Sequence, residues 1–350
     1  MKTISRRISL PVLLEIIDEE KINLDEILSY HNLKYSNKIL ISSKELYQKY
    51  KKYLNFRIEE KFFINIFTLD EIEIVIKNIK KKLSNDSLLI GFGGGRVIDA
   101  TKYIGLKTGL KFFSLPTALS HDGIYSPVAV LSQDNGMKIR IGTPSPLGIV
   151  VNLDIIQQAP IETIRSGIGD LLSNLSALKD WKLAEKDEGE QIDNFAYILS
   201  YLAYNSILNL LDKSNINLKD KEFLENLAYS LIISGLSMEI AGSSRPCSGA
   251  EHLFSHAIDY LYPKKSIFHG IQVAFGILVA ELFRGEEIER MIEIYKKIGL
   301  PTSVKELGFE KKEIIQAIKI APKMNKERYT IFNKFKLSKL LIEKMISPLL

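Results

Sequence analysis

Ser87-Leu88-Leu89-Ile90-Gly91-Phe92-Gly93-Gly94-Gly95-Arg96 is the stretch that decides the fold. An apolar, β-rich run, Ser87 to Phe92, breaks into glycines, and the residues beyond, from Gly95 to Thr108, carry helical spacing. A strand that turns at once into a helix gathers unshielded backbone amides and the positive end of the helix dipole at one point. That point favours an anionic phosphate. Gly93, Gly94, Gly95, Arg96 and Val97 are therefore candidates to hold the pyrophosphate of a dinucleotide. The spacing departs from the Rossmann fingerprint, since Arg96 stands where its third glycine belongs and this strand reads as the third of its series, not the first. A tight strand-to-helix turn without a ligand is the alternative.

Outward from this point, short β-rich runs alternate with amphipathic helical segments, the signature of a parallel sheet wound with crossover helices. KILISS (Lys38 to Ser43), KFFINIF (Lys61 to Phe67), KFFSLP (Lys111 to Pro116) and GIVVNL (Gly148 to Leu153) are the other strands; helices are expected near Lys44 to Leu54 and Leu69 to Leu83. Ser126 to Arg140 reads as a hairpin around Gln133-Asp134-Asn135-Gly136. After Asn152-Leu153-Asp154 the periodicity becomes helical, with breaks at Pro160, Gly242 to Gly249, Pro263 and Pro301. The expectation is an α/β domain with a parallel sheet over residues 1–159 and an all-α domain over 160–350, with the active site in the cleft between them.

Composition bounds the function. The 350 residues, 46% hydrophobic, suffice for two cores without staples, and one cysteine, Cys247, excludes an internal disulfide framework and fits a reducing, cytoplasmic setting. The 47 basic and 42 acidic residues are interspersed, and the run from Lys77 to Lys82 alternates with Ile74, Ile76 and Ile79 as a solvated helix face, so nucleic acid is not an expected partner. No apolar stretch reaches membrane-spanning length, and the N-terminal MKTISRRISLP lacks the apolar core of an export signal.

The chemistry-bearing residues fall in four places. Leu115-Pro116-Thr117-Ala118-Leu119-Ser120-His121-Asp122-Gly123 follows a strand, at the sheet edge where ligands bind; Thr117 and Ser120 are candidates for cofactor contacts and Asp122 for substrate hydroxyls, against the alternative of turn caps. Asp170, in SGIGDLLSNLSALKDWKLA, and His252, His256 and His269 can supply a metal site. His252 and His256 are four apart, hence on one helical face, and His269 begins the next helix. A carboxylate with two imidazoles leaves an open coordination position, as a Lewis-acid catalyst requires. Satisfied core histidines are the alternative. Arg245, among Gly and Ser residues beside these histidines, is either an anchor for an anionic group or half of a structural ion pair; Lys138 and Arg140 are further cations.

Taken together and in order, GFGGGRVIDATKY, SLPTALSHDGIYSPVAV, SGIGDLLSNLSALKDWKLA and SSRPCSGAEHLFSHAIDY resemble the archaeal sn-glycerol-1-phosphate dehydrogenases, of the superfamily that also holds glycerol dehydrogenase, iron-type alcohol dehydrogenase and dehydroquinate synthase. SRPCSGAEH is the most specific piece. The resemblance implies a dehydroquinate synthase-like fold and reduction of dihydroxyacetone phosphate to sn-glycerol 1-phosphate by NADPH or NADH, for membrane phospholipid synthesis. It implies one Zn2+ per subunit on Asp170, His252 and His269, with Asp122, Asp170 and His256 at the substrate and in catalysis; Arg245, by its charge and its place beside these histidines, is the first candidate for the substrate phosphate. Cofactor contacts are implied for Gly93 to Val97, for Thr117, Ala118, Leu119 and Ser120, and for Ser126, which the resemblance alone supplies. A cytoplasmic homo-oligomer is expected. Two departures matter. The N-terminal stretch around Leu10-Pro11 to Ile27 lacks the family's glycine-containing turn, so its first strands are expected to be built differently. Ile41-Ser42-Ser43-Lys44 has no carboxylate to hold ribose hydroxyls and leaves room for a 2′-phosphate, which predicts use of NADPH at least as well as NADH. Glycerol dehydrogenase, a dehydroquinate synthase-like cyclase and a silent metal- or nucleotide-binding regulator are the rival readings.

Overall fold

The structure, a computed structural model, describes residues 11–18, 21–82, 86–133, 137–213 and 215–350. The expected turn at 134–136, the end of the second expected helix at Leu83 and most of the basic N-terminal stretch lie outside these residues. The chain divides into two compact units: residues 1–119, 123–160 and 219–228 form one, and 120–122, 161–218 and 229–350 the other.

The first unit is built on strands β1 (Leu13–Ile17), β2 (Asn37–Ser42), β3 (Glu60–Phe63), β4 (Ser87–Gly93), β5 (Lys111–Pro116) and β8 (Gly148–Asn152), all parallel, in the order β1-β8-β5-β4-β2-β3. Helices α1 (Leu24–Tyr30), α2 (Lys44–Tyr50), α3 (Leu69–Lys80), α4 (Gly95–Thr108) and α5 (Leu153–Gln157) connect or follow them. Because strand side chains alternate, one strand feeds two cores. Leu40, Leu88, Ile90, Phe92, Phe113 and Val150 pack with Leu24, Leu28, Tyr50 and Tyr53, whereas Ile39, Ile41, Leu89 and Phe112 pack with Ile72, Ile76, Ile79, Val97 and Ile104. The expected hairpin is present as antiparallel β6 (Val128–Ser132) and β7 (Lys138–Gly142). Buried Lys102 and Asp99 of α4 tie down its first strand: the ammonium donates to Val128 O (2.8 Å) and to Asp99 (3.2 Å), and Asp99 accepts the Val130 amide (3.1 Å).

Three boundaries differ from expectation. β1, unread in the sequence, is an edge strand paired only with β8, and Glu15 at its centre masks the apolar pattern. The strand expected to reach Phe67 stops at Phe63, because the amides of Asn65, Ile66 and Phe67 donate to the Glu71 carboxylate (2.9, 2.8 and 3.0 Å) instead of to a neighbouring strand. Leu153 opens α5, with Asn152 accepting the Ile155 amide as its N-cap.

The second unit shows no strand among its described residues. Its helices are α6 (Ile161–Glu188), α7 (Asn194–Leu211), α8 (Lys221–Ala241, whose residues 221–228 belong to the first unit), α9 (Ala250–Leu261), α10 (His269–Arg284), α11 (Glu289–Ile298), α12 (Lys311–Ile320) and α13 (Lys339–Met345). The long α6 and the apolar α10 approach until their backbones touch. A Cβ on Gly270 would lie 1.8 Å from Ser166 O, and one on Gly169 2.2 Å from Gly270 O. Gly276 does the same for α9 and α10, its would-be Cβ 2.6 Å from Glu251 O. Small residues at helix crossings permit such closeness, and here they sit beside the candidate ligands. No helix among the described residues is long and apolar enough to cross a membrane.

Candidate active site

Gly169 and Asp170 are consecutive, as are His269 and Gly270, so the contact that brings α6 against α10 also brings a carboxylate to an imidazole. Asp170 Oδ1 lies 3.8 Å from His269 Nε2 and 3.7 Å from His252 Nε2 of α9, and one ligand atom from each of the three residues falls within 4.8 Å of the others. Ser166, one turn before Asp170, caps α10 by accepting the Gly270 amide (3.0 Å) and donates to Ser120 O (2.8 Å). Asp170 Oδ2 accepts the backbone amide of Asp122 (2.9 Å), and Asp122 Oδ2 accepts from Ser234 (3.1 Å). Residues 120–122 are thereby part of the unit that carries the triad.

The donor chemistry of this triad fits a divalent cation. The Glu251 carboxylate, wholly buried, can only accept, so the proton it shares with His252 Nδ1 (3.1 Å) belongs to the imidazole, and the neutral ring turns its Nε2 lone pair toward Asp170. Glu251 is held in turn by Ser176 (2.7 Å) and the Gly249 amide (2.5 Å). Arg284 joins the same buried network, donating to Ser176 (3.1 Å), Glu281 (2.9 Å) and Asp180 (2.7 Å), and Asp180 accepts the Ala250 amide at the start of α9 (2.7 Å). With no cation bound, burial pushes the His252 imidazole down, but hydrogen bonds and charge from Asp170 and Glu251 outweigh it and push the pKa up to about 9. Burial pushes the Asp170 carboxyl up, and hydrogen bonding to His252 with the electrostatic attraction of His269, His252 and His121 holds it below its ordinary range.

His256 lies one turn beyond His252 on α9, its ring stacked on that of His269 at 6.2 Å, and His121 meets His269 edge-on at 6.5 Å. Four of the five histidines are thus gathered in one place. Arg245 is placed as in its ion-pair alternative. The side chain is buried, with Nε donating to Glu190 (2.8 Å), a second guanidinium nitrogen to the other Glu190 oxygen, and a third to Tyr329 O (2.7 Å).

In the first unit, β4 and β5 pair through Gly93 and Pro116, and the Thr117 amide continues the ladder onto Gly93 O (3.0 Å), so the glycine turn and the Thr117–Leu119 stretch leave adjacent strands side by side. A Cβ on Gly93 would lie 2.4 Å from Val97 and one on Gly91 2.7 Å from Thr101, which is how closely α4 packs on β4. Gly94, the N-cap of α4, has no atom within 4 Å of an added Cβ, an opening at the helix's positive end. Ser126 is buried nearby in sequence, ahead of β6. Lys44 is exposed at the first position of α2, after Ser43, whose hydroxyl caps that helix.

Sequence reasoning did not find Glu251, Ser255, Gln272, Asp180 and Arg284, the polar layer behind the ligands. Charged residues in apolar helical frames, such as Glu281 and Arg284 in VAFGILVAELFR, were the available signal.

Residues 19–160 match the iron-containing alcohol dehydrogenase family. The chain is 39% identical to the glycerol-1-phosphate dehydrogenase [NAD(P)+] of Thermococcus kodakarensis over 79% of its own length and 77% of that protein's, and 38% identical to that of Nitrosopumilus maritimus over 78% and 74%. In fold it is similar to a probable glycerol dehydrogenase from Sinorhizobium meliloti (TM-score 0.78, 22% identity, 99% of this chain and 98% of that one covered) and to glycerol dehydrogenase from Schizosaccharomyces pombe (0.75, 20%, 99% and 91%). Identity at this level over most of both chains carries the assignment: the chain belongs to the glycerol-1-phosphate dehydrogenase family, within the iron-containing alcohol dehydrogenase superfamily.

Proposed function

We propose that this chain reduces dihydroxyacetone phosphate to sn-glycerol 1-phosphate with NADPH or NADH, in the cytoplasm and as a homo-oligomer, supplying the glycerophosphate backbone of archaeal membrane phospholipids. The observation that carries this reading is the 39% identity to a glycerol-1-phosphate dehydrogenase over most of both chains, joined to the convergence of Asp170, His252 and His269. Likeness to glycerol dehydrogenases at 22% identity and below bears on fold alone. A Zn2+ held by the triad supplies Lewis-acid polarisation of the substrate carbonyl.

The chain's own residues do the rest. Gly93 to Val97 and the start of α4 receive the cofactor's pyrophosphate, with Thr117 to Ser120 and Ser126 beside them. Residues 1–159 serve the cofactor, apart from Asp122, which joins residues 160–350 in serving the metal and substrate. Asp122 accepts a substrate hydroxyl, and its backbone amide steadies Asp170. His256 would give a proton to the substrate oxygen in the reduction. Lys44 meets a 2′-phosphate without a carboxylate at the end of β2, which supports NADPH as at least the equal of NADH.

The test is oxidation of NADPH and of NADH by zinc-loaded protein with dihydroxyacetone phosphate, beside unphosphorylated dihydroxyacetone, with the product typed enantiospecifically. Turnover to sn-glycerol 1-phosphate, abolished in Asp170→Asn, is expected. Turnover of dihydroxyacetone alone moves the chain to glycerol dehydrogenase, and conversion without net cofactor consumption moves it to a cyclase.

A further inference from the structure

Behind His269 a line of four side chains runs across α9, α10 and the segment between them, and each hydrogen bond has only one possible direction. Asp259, as a carboxylate, can only accept, so Ser266 donates its one hydroxyl proton to it (2.5 Å). Ser266 Oγ is then an acceptor, and the Gln272 amide nitrogen donates to it (3.3 Å). That fixes the Gln272 carbonyl as the group facing Ser255, whose hydroxyl donates to it (3.0 Å). Having spent its proton, Ser255 accepts from His269 Nδ1 (3.1 Å). The imidazole is left with its proton on Nδ1 and its lone pair on Nε2, the atom that faces Asp170 at 3.8 Å. Ser255 and Gln272 are both wholly buried, so water does not compete for these bonds.

We infer that Gln272 is a positioning residue for the metal centre: as the polarity-setting member of the Asp259–Ser266–Gln272–Ser255 relay, it selects the His269 tautomer that can ligate a cation. The inference rests on the reading of Asp170, His252 and His269 as metal ligands. It also separates the two histidines. His252 is oriented directly by a carboxylate and His269 by the neutral Ser255 hydroxyl at the end of the relay, so a defect in the relay acts on one ligand and leaves the other in place.

The experiment uses the full chain with 15N-labelled histidine and three variants, Gln272→Met, Gln272→Glu and Asp259→Asn. Ring-nitrogen shifts of His269 and His252 are read at alkaline pH without metal, and Zn2+ affinity is read by competition with a chromogenic chelator. In the parent protein His269 should carry its proton on Nδ1. Gln272→Met frees the Ser255 hydroxyl to donate to Nδ1; His269 should shift toward the Nε2-protonated form while His252 stays unchanged, and Zn2+ affinity should fall on the order of 10- to 100-fold. Gln272→Glu keeps an acceptor toward Ser255 and should retain the native tautomer and most of the affinity. Asp259→Asn perturbs the relay from its half-buried end, so the test survives if a Gln272 variant does not fold. An unchanged His269 tautomer in both Gln272→Met and Asp259→Asn overturns the relay, as does equal loss of Zn2+ in Gln272→Met and Gln272→Glu. If the parent protein binds no Zn2+, the metal reading has failed, and the ring shifts still decide whether the relay sets the tautomer.

Discussion

Gly270→Ala puts the backbone contact between α6 and α10 to the test. The added methyl would sit 1.8 Å from Ser166 O and 2.6 Å from its carbonyl carbon, where real Cβ contacts essentially never fall below 3.0 Å. Both atoms are backbone within the hydrogen-bonded frame of α6, so no side chain can swing away, and α10 must withdraw by roughly 1.2 Å. Overpacking of a tight core costs about 1–3 kcal/mol, and a backbone clash belongs at the top of that range. At about 2–4 °C per kcal/mol for a unit of this size, the melting temperature of the metal-free protein should drop by about 6–12 °C. The functional loss should be larger than the stability loss. His269 precedes Gly270 and moves with it, and metal–ligand distances tolerate only about ±0.2 Å, so Zn2+ affinity should fall at least about 100-fold. Differential scanning calorimetry with chelator present and a chelator-competition titration measure the two effects. A Gly270→Ala protein with native melting temperature and native Zn2+ affinity refutes the contact as the device that joins Asp170 to His269.

Gly94→Ala adds a methyl into open space, so stability should fall by less than about 1 kcal/mol, the loss of a glycine N-cap, while the NADPH KM rises about tenfold because the methyl stands where a pyrophosphate would approach. A fluorescence titration giving native NADPH affinity removes the glycine turn from the cofactor site. Arg245→Met should cost about 2 kcal/mol of stability, discounted because Glu190 is about one-third exposed, and leave the KM for dihydroxyacetone phosphate within about twofold. A tenfold rise in KM at unchanged melting temperature would return Arg245 to the substrate phosphate. Burial holds the Cys247 thiol far above its ordinary pKa, so a disulfide reagent should label the folded protein negligibly at neutral pH and stoichiometrically in denaturant. Rapid labelling of the native state contradicts that burial.

The parts of this molecule that follow from local rules were open to reading in the sequence. The unbroken apolar run Leu88-Leu89-Ile90 and the glycines after it announce a buried strand and its turn, and the (i, i+4) spacing of His252 and His256 puts both on one face of α9. What stayed hidden depends on which elements meet. Gly169 and Gly270 look like ordinary helical glycines until α6 and α10 are placed in contact, and only then does the requirement for no side chain appear. Glu251 precedes His252 and would be assigned to solvent by its type; it is buried because Ser176, far away in the chain, and the local Gly249 amide satisfy its oxygens. Leu13–Ile17 was missed for the opposite reason. An edge strand with Glu15 at its centre carries too little apolar pattern to be distinguished from the irregular chain around it.

The polar layer behind the candidate ligands favours a cation at the triad over a simple ion pair. Asp170 Oδ1 and the two Nε2 atoms are all acceptors once Glu251 and Ser255 have taken the Nδ1 protons, and three lone pairs turned toward one point in a buried place repel each other unless something positive stands between them. A proton can meet that need in part, which is why His252 is pushed up to about 9 when no cation is present. A proton serves one pair of atoms at a time, whereas a divalent ion held by Asp170, His252 and His269 would satisfy all three acceptors together. The buried Glu251 works to the same end: it is balanced by hydrogen bonds and by Arg284 through Ser176, so it orients His252 without competing with the triad for a cation.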